Sequence, residues 1–424
     1  MNRQEIQFEA VKSWVEARKI GTIILATGGG KTHIGSMIAS KQIYNKKIST
    51  VLIVVPTVNL VEQWRHVLDT HFPGITDIVD ILCLKTAYKL HRVYDLLIVD
   101  EAHTALSPEY RKLFEGIRYT QLLCLTATLP GNKEYAEFLQ KIAPIVYSKS
   151  LDETLAEDDV IAPYKMYNLE INFTRQDRSK YQIFDTQFKN AQLQLTVYKR
   201  KHQSILLKST FEIAQEHCAI KNTSLYIDNE IKTKEDYNNR YQEYAAYCAD
   251  LPDIIKFSKQ YWSGMTMRKW TCYESTSKLE IVLSLLKQFP NKKWIIFNKS
   301  IKFAERLSKL IPNSLIYHSK QNTKTREETL ELYRMPEYNV LIAVDALNAG
   351  LDVPDANAAI TVSGVSTELV GTQTLGRILR FIPNKTALFV NLYTKNTVEE
   401  NWTRNRTSAF KNCTWVNNLR MITL

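Results

Sequence analysis

Ala26-Thr27-Gly28-Gly29-Gly30-Lys31-Thr32 is a glycine-rich turn that follows an apolar run, Ile23-Ile24-Leu25, and precedes the segment Ile34-Gly35-Ser36-Met37-Ile38-Ala39. The apolar run is typical of a strand, and the later segment is typical of the first turns of a helix. Glycines at this position allow successive backbone N–H groups to surround a phosphate, which the helix N-terminus also favours. The side chain of Lys31 would reach the outer phosphates, and the hydroxyl of Thr32 could bind magnesium. The stretch therefore predicts a nucleotide-binding loop in an α/β fold.

A second motif, Asp100-Glu101-Ala102-His103, follows the apolar run Leu96-Leu97-Ile98-Val99, which predicts a buried parallel strand. An acidic residue at the end of such a strand, beside a phosphate-binding loop, can hold magnesium. The carboxylate next to it can orient or deprotonate an attacking water. Taken alone, the acidic motif could be a helix N-cap, and the glycine loop could be a simple turn, since Leu25 stands where the strict loop pattern has Gly or Ala. The two motifs together favour a nucleotide-binding enzyme.

Apolar strand-like runs alternate with helical patterns in two parts of the chain, residues 1–165 and 276–424. Such alternation predicts right-handed βαβ units and a parallel sheet in each part, with ligands at the carboxyl ends of the strands. The strands predicted in the first part are Ile23–Ala26, Val51–Val55, 80–84, Leu96–Val99 and Leu122–Leu125. Those predicted in the second part are Trp294–Phe297, Ser314–Tyr317, Val340–Val344, Ala358–Val362 and Ala387–Asn391.

Residues 166–275 differ from both flanking parts, because they have few glycines and many Tyr, Gln, Asn and Lys residues. Phe184, Phe188 and Leu195 have helical spacing, so the region is predicted to be a mainly helical insertion. The basic run Lys199-Arg200-Lys201-His202, with aromatic residues nearby, could bind nucleic acid by charge and stacking. The alternative is a solvated basic face over a small core.

The composition is that of a globular protein with a basic balance. The chain has 424 residues, of which 45% are hydrophobic, a formal net charge of +11 and a sequence pI of about 9.1. The length predicts two or three domains, and the charge suits a polyanionic partner. The six cysteines are scattered without a Cys-x-x-Cys pair, which argues against zinc and against a disulfide framework. Without a span-length apolar stretch or a signal-peptide core, the chain is expected to be cytoplasmic, with no membrane partner.

Short motifs also occur along the chain in a fixed order. They are Gln7, residues 26–32, Pro56-Thr57 with Leu60 and Gln63-Trp64, residues 100–103, Thr126-Ala127-Thr128, Trp294-Ile295-Ile296-Phe297-Asn298, Gly350-Leu351-Asp352-Val353-Pro354 and Gln373-Thr374-Leu375-Gly376-Arg377-Ile378-Leu379-Arg380. These stretches resemble the glutamine motif and motifs I, Ia, II, III, IV, V and VI of the superfamily 2 helicases of the DEAH-box kind. Within that superfamily the chain is most similar to the compact phage and XPB-like DNA helicases of the UvsW type.

The resemblance implies two tandem RecA-like parallel-sheet lobes, residues 1–165 and 276–424, with the mainly helical insertion at 166–275 between them and a helical tail at the C-terminus. ATP and Mg²⁺ would bind in the cleft between the lobes, with Thr32 and Asp100 as the magnesium ligands. The implied nucleotide-binding residues are Gln7, Thr27, Gly28, Gly29, Gly30, Lys31, Thr32, Gly350 and Asp352. The implied catalytic residues are Lys31, Asp100, Glu101, Gln373, Arg377 and Arg380. In this scheme Glu101 positions the water, and the arginines stabilise charge in the transition state.

The resemblance also implies residues that couple ATP hydrolysis to nucleic acid, namely His103, Thr126 and Thr128. The implied nucleic-acid contacts are Pro56, Thr57, Thr86, Asn298 and Lys299. The chain departs from the motif V pattern at Val344-Asp345, where many relatives have Thr before Asp. No phosphate contact is therefore assigned to that stretch.

The expected function is that of an ATP-dependent DNA helicase or translocase that acts on single-stranded, forked or branched DNA in a prokaryotic or phage-infected cell. The alternative is an RNA helicase, or an ATP-dependent clamp or remodeller of nucleic acid without processive unwinding. A monomer is sufficient, because both halves of the ATP site lie in one chain. The tail from Trp402 to Leu424 is expected to be a terminal helix that packs on the second lobe, or else a nucleic-acid contact.

Overall fold

The computed structural model of the chain describes residues 2–26, 28–129, 131–150, 153, 154, 157, 160–220, 241–344, 356–364, 385–408, 410 and 412–424. The protein divides into two compact units. The first comprises Met1–Glu170, Ile281–Tyr393 and Glu399–Leu424, and it contains two sheets. The second comprises Ile171–Glu280 and Thr394–Val398, and it is mainly helical. Among the described helices, none is long and apolar enough to cross a membrane.

The first sheet has six parallel strands in the order β3-β2-β4-β5-β1-β6. The strands are β1 (Ile20–Leu25), β2 (Val51–Val55), β3 (Val79–Cys83), β4 (Arg92–Val99), β5 (Ile117–Thr126) and β6 (Ile145–Lys149). In the part of the chain that the structure describes, the helices around it are α1 (Arg3–Glu16), α2 (Lys31–Tyr44), α3 (Val58–His71), α4 (Leu84–Ala87), α5 (Lys112–Gly116) and α6 (Lys133–Ile142), with short 3-10 turns at Thr76–Ile78 and Ala102–Leu106. The central strands are nearly continuous apolar runs because both faces of a parallel sheet are covered.

The register of the first sheet brings several strand ends to one edge. Val99 of β4 pairs with Val54 of β2 and with Cys124 of β5, and Thr126 of β5 pairs with Ile24 of β1. The segments that follow β1, β2, β4 and β5 therefore begin side by side. These are the segments that contain the glycine loop, Pro56-Thr57, the acidic motif and Thr128.

The second sheet has seven strands in the order β13-β7-β12-β11-β8-β10-β9. The strands are β7 (Tyr164–Ile171), β8 (Trp294–Asn298), β9 (Ser314–His318), β10 (Val340–Val344), β11 (Ala358–Thr361), β12 (Ala387–Thr394) and β13 (Cys413–Val416). The helices in the described residues of this part are α10 (Thr276–Gln288), α11 (Ile301–Ser308), α12 (Thr323–Arg334) and α13 (Val398–Thr407). The prediction of two parallel-sheet lobes with an intervening mainly helical insertion is confirmed, and strands are present at all the predicted places.

Strand β7 was not predicted, and it belongs to the second sheet although it precedes the insertion in sequence. Its Asn168 is fully buried, and the side-chain oxygen accepts a hydrogen bond of 3.0 Å from Asn391 of β12. The predicted limit of the first lobe, residue 165, falls inside this strand. We therefore propose to place that limit before Tyr164.

The segment expected to form a helical tail contains both a helix and a strand. Helix α13 is followed by β13, which pairs in parallel with β7, so that Cys413 lies beside Met166 and Val416 beside Leu169. The sequence Cys413-Thr414-Trp415-Val416 is rich in β-branched and aromatic residues, which suit the pleated surface of a sheet edge. The helix expected through to the end of the tail is wrong for this segment.

The second unit contains three long or medium helices, α7 (Arg175–Lys201), α8 (Thr210–Cys218) and α9 (Tyr241–Tyr273), in its described residues. Phe188 and Leu195 of α7 are buried in its core, as their spacing predicted. The basic run at the end of α7 is partly structural, because Lys201 and His202 both contact Asp250 of α9, at 2.6 and 2.7 Å. This pairing gives half of the run a structural role, because His202 is buried and Lys201 is ion-paired.

Candidate nucleotide-binding site

The glycine loop has a conformation that other residues would strain. Gly28 and Gly30 have φ angles of 89° and 96°, in the left-handed region, and Gly30 is the N-cap of α2. A Cβ atom on Gly30 would lie 2.2 Å from Nε2 of Gln7, which is buried and donates a 3.4 Å hydrogen bond to the carbonyl of Gly29. The guanidinium of Arg3 donates to the carbonyl of Gly28 at 3.1 Å. Helix α1 therefore packs directly on the loop.

Lys31 is the first residue of α2, and its side chain is buried. Its Nζ donates a hydrogen bond of 3.2 Å to the carbonyl oxygen of Leu25, and it lies 3.9 Å from Oε1 of Glu101. An ammonium group has three donors, so further contacts are available to an anion. Thr32 follows in the first turn of α2 and is half-buried. The loop, the lysine and the helix N-terminus form an arrangement suited to phosphate.

Asp100 is buried at the end of β4, and both of its carboxylate oxygens are hydrogen-bonded. Oδ2 accepts from the indole Nε1 of Trp64 at 2.9 Å, and Oδ1 accepts from the backbone N–H of Glu101 at 2.9 Å. Burial, with the nearby charge of Glu101, raises the pKa of Asp100 to about 6, although the Trp64 hydrogen bond and the Lys31 charge act in the opposite direction. A cation bound here would favour the ionised carboxylate.

Glu101 combines backbone strain with an unsatisfied carboxylate. Its φ of 46° lies in the left-handed region, which is costly for a residue with a Cβ. Its Oε2 is buried and has no hydrogen-bond partner among the residues that the structure describes. Nδ1 of His103 lies 3.4 Å from that oxygen. Strain together with an unpaired buried oxygen is typical of a functional group rather than a structural one.

His103 connects Glu101 to Thr126. The hydroxyl of Thr126 donates to the carbonyl of Thr128 at 2.9 Å, so it accepts from Nδ1 of His103, 3.3 Å away. Burial and the charge of Lys31 lower the pKa of His103 to about 4, so the imidazole is neutral at physiological pH, with the proton on Nδ1. The three predicted coupling residues thus form one hydrogen-bonded chain beside Glu101.

The residues of this cluster fit a nucleotide with magnesium. The carboxylate of Asp100 and the hydroxyl of Thr32 are oxygen groups of the kind that Mg²⁺ prefers, and the unpaired Oε2 of Glu101 beside them can accept a hydrogen bond from water. The glycine loop ends at the N-terminus of α2, where the first backbone N–H groups of a helix favour a phosphate. The other predicted nucleotide-site and catalytic residues lie outside the described part of the chain; they are Thr27, Gly350, Asp352, Gln373, Arg377 and Arg380.

Two of the predicted nucleic-acid residues have unsatisfied polar atoms at strand ends. Thr57 is the N-cap of α3, yet its hydroxyl is buried without a hydrogen-bond partner in the described residues. Asn298 is buried at the end of β8, where Oδ1 accepts from the N–H of Ser300 at 2.9 Å and Nδ2 is likewise without a partner there.

The remaining three predicted contacts are less distinctive. Pro56 is half-buried before α3, and Thr86 is exposed on the short helix α4. Lys299 is half-buried, and its backbone N–H donates to Ser363 at 2.9 Å.

Three functional candidates were not assigned a role from the sequence. The pattern Gln63-Trp64 gives Trp64 no role of its own, but its indole N–H donates a hydrogen bond to Asp100. His318 is the last residue of β9, and its Nδ1 is buried without a hydrogen-bond partner in the described structure. The third candidate is Arg326, whose Nε is buried and unpaired in the same way. The register places His318 and Asn298 on either side of Val344, at one edge of the second sheet. The rule that ligands bind at strand ends could have identified His318.

Comparison with known proteins agrees with this geometry. The Helicase conserved C-terminal domain matches residues 277–382, and the type III restriction enzyme, res subunit, matches residues 1–82. The chain is also 29% identical to the DNA 3'-5' translocase XPB2 of Sulfurisphaera tokodaii, over 95% of this chain and 84% of that protein. These matches support a superfamily 2 helicase.

Solved helicase structures share the fold. Dbp5 of S. cerevisiae bound to RNA and ADP BeF3 superposes with a TM-score of 0.56 at 13% identity, over 97% of this chain and 89% of that chain. The Hef helicase domain of Pyrococcus furiosus superposes with a TM-score of 0.52 at 17% identity, over 95% of this chain and 99% of that chain. Both neighbours support the RecA-like architecture of the two lobes.

Proposed function

We propose that this protein is an ATP-dependent DNA helicase or translocase of superfamily 2, of the DEAH-box subtype. The observation that carries the proposal is the buried cluster of Lys31, Asp100 and Glu101 at the end of a glycine loop. The translocase relative, which matches 95% of the chain, supports DNA as the track.

The residues of the first lobe have distinct tasks in this proposal. The glycine loop and Lys31 bind the phosphates of ATP, and Gln7 contacts the adenine. Thr32 and Asp100 hold Mg²⁺, which neutralises phosphate charge when it is bound. Glu101 uses its unpaired Oε2 to orient the attacking water and to accept its proton.

The second lobe would supply the groups that complete the site. We assign Arg377 and Arg380 to stabilisation of the transferred phosphoryl group, and Gln373 to the γ-phosphate or the water. Gly350 and Asp352 are assigned to the nucleotide side of motif V. Because these groups come from the other lobe, hydrolysis requires the lobes to close, and product release lets them open.

Nucleic acid would bind along the strand ends that carry unpaired polar groups. The hydroxyl of Thr57 and the amide Nδ2 of Asn298 are suited to phosphate oxygens, since hydroxyl and amide groups contact the backbone without reading sequence. Pro56, Thr86 and Lys299 lie near the same strand ends in sequence and are assigned supporting contacts. We further propose that the preferred substrates are forked or branched DNA.

Steady-state ATP hydrolysis tests the proposal directly. The wild-type chain is assayed alone and with single-stranded DNA, single-stranded RNA, blunt duplex or a four-way junction. Lys31→Ala is the inactive variant, and Lys133→Ala, which alters a surface lysine on α6, is the control. Strong stimulation by DNA, greatest with the junction, is expected, and Lys31→Ala should abolish it.

The other outcomes are equally informative. Stimulation by RNA alone would replace DNA by RNA as the substrate. Undiminished turnover in Lys31→Ala would overturn the assignment of the ATP site. Hydrolysis that no nucleic acid stimulates would remove the helicase function.

A further inference from the structure

The indole of Trp64 connects α3 to the end of β4. Trp64 is fully buried, and its Nε1 donates a 2.9 Å hydrogen bond to Oδ2 of Asp100. The other oxygen, Oδ1, is held by the N–H of the next residue in the chain. The indole is therefore the contact from a different element that fixes which way the second oxygen points.

The surroundings of the indole are closely packed. A Cβ atom on Gly35 of α2 would lie 2.5 Å from Cη2 of Trp64 and 3.2 Å from Cδ1 of Leu125. The ring is rigid, so it has no flexible end that could move out of the way. Glycine at position 35 lets α2, which begins with Lys31 and Thr32, approach the same indole. One side chain thus sets the distance between the helix of the phosphate loop and the acidic strand end.

We propose that Trp64 is a positioning residue that orients the carboxylate of Asp100 for magnesium. Removal of its N–H leaves Oδ2 without the contact that fixes its direction, while Oδ1 keeps only the N–H of Glu101, so Mg²⁺ meets a less well ordered carboxylate. Groups that orient metal ligands in this way change metal affinity by roughly 10- to 100-fold when they are removed. The inference rests on the proposed function, since it assumes that Asp100 holds Mg²⁺ beside ATP.

The chain contains a matched control for this substitution. Trp14 of α1 is also fully buried in the first lobe, and its Nε1 donates a 2.9 Å hydrogen bond to the backbone carbonyl of Leu122. Trp64→Phe and Trp14→Phe therefore remove the same donor and the same ring volume. They differ in the acceptor, which is a carboxylate oxygen in one case and a peptide oxygen in the other.

Calorimetric titration with ATPγS, in excess Mg²⁺ and in EDTA, measures the effect without catalysis. The ratio of the two affinities reports how strongly Mg²⁺ and nucleotide favour each other. We expect Trp64→Phe to reduce this ratio by roughly tenfold, the lower end of the range for such groups, while the affinity in EDTA stays the same. Trp14→Phe should keep the wild-type ratio. In steady-state assays Trp64→Phe should raise the half-saturating Mg²⁺ concentration more than it lowers kcat at saturating Mg²⁺.

A second variant tests the same contact from the other side. Gly35→Ala keeps the indole N–H but forces the ring to move, so it should also reduce the ratio. Equal ratios in Trp64→Phe and Trp14→Phe would overturn the positioning role, as would an equal loss of affinity with and without Mg²⁺ in Trp64→Phe. If Mg²⁺ does not strengthen ATPγS binding in the wild-type chain, the magnesium site of the proposed function fails, and this inference fails with it.

Discussion

At the scale of single residues, Asp100 and His103 make opposite contributions to the pH dependence of stability. The pKa of Asp100 is raised from 3.8 to about 6, so its contribution is fully present below pH 3.8 and is lost as pH rises through about 6. The pKa of His103 is lowered from 6.5 to about 4, so its contribution is present above pH 6.5 and is lost as pH falls through about 4. As pH falls from about 6 to about 4, the stability gained from Asp100 and the stability lost from His103 largely cancel.

The variant His103→Gln should expose the Asp100 contribution. Relative to wild type, its free energy of unfolding should increase as pH falls from 6.5 to 4, by up to about 3 kcal/mol, because it no longer carries a buried imidazole that resists protonation. Urea unfolding at several pH values measures this difference. His91→Gln, at an exposed position, is the control. A difference between wild type and His103→Gln that is independent of pH would contradict the assignment.

Glu101→Gln should separate binding from hydrolysis. The substitution removes the group that we propose accepts the proton of water, so turnover should fall by a factor on the order of 10² to 10⁴. It also removes a negative charge that raises the pKa of Asp100, so thermal stability should not decrease. Steady-state ATP hydrolysis, filter binding of ATP and thermal melting measure turnover, binding and stability, with Glu137→Gln on the surface of α6 as control. Loss of ATP binding together with stability would mean that Glu101 is a structural residue.

At the scale of elements, the turn between β1 and α2 depends on glycine for two separable reasons. Gly30→Ala introduces a Cβ at φ 96° and a clash with Gln7, so it should lower both stability and ATP affinity. Gly74→Ala has a similar φ of 90° with no atom within 4 Å of the new Cβ, so it should cost only the strain of about 1–2 kcal/mol.

Gly131→Ala completes the series, since its Cβ meets no atom within 4 Å. Melting temperatures of the three variants should follow the order Gly131→Ala, Gly74→Ala, Gly30→Ala from highest to lowest. Equal destabilisation by Gly74→Ala and Gly30→Ala would show that the clash with Gln7 does not add to the loss of stability. ATP affinity should change only in Gly30→Ala, because the other two glycines lie outside the glycine loop that we propose binds ATP.

The local sequence predicts which segments are strands and helices better than it predicts which strands lie side by side in a sheet. Buried apolar runs such as Leu96–Val99 identify the core strands, and the residues that follow them identify the site. The glycine loop and the acidic motif could therefore be placed together, because ligands bind at the carboxyl ends of parallel strands. Periodicity alone gives no information on which sheet β7 joins, or that β13 adds to its edge, because those pairings link distant parts of the chain.

Within the site, the sequence could name residues but not their contacts. The motif does not predict the left-handed backbone of Glu101, because a carboxylate is expected at this position for its chemistry, whatever its backbone conformation. The hydrogen bond from Trp64 to Asp100 joins residues 36 positions apart, on elements whose relative orientation only the fold determines.

At the scale of the whole molecule, the net charge of +11 predicts DNA binding that weakens steeply with salt.

Thr57→Val should reduce affinity for single-stranded DNA without changing the slope of log affinity against log salt, because a hydroxyl releases no counterion. Lys299→Ala should reduce the slope by about 0.7 if it contacts a phosphate. Fluorescence anisotropy between low and moderate KCl measures both, with Lys133→Ala as control. An unchanged slope in Lys299→Ala would remove that residue from the interface.

The position of β7 in the second sheet has a consequence for synthesis on the ribosome. Its sheet neighbours are β12 and β13, and Asn168 meets Asn391 across 223 residues. At typical elongation rates of about 5–20 residues per second, β7 emerges about 10 to 45 seconds before its first partner exists. During that interval its backbone N–H and C=O groups form an unpaired edge that other chains could join. A nascent chain released before residue 387 would carry this edge permanently, so premature termination should produce aggregation rather than a folded fragment.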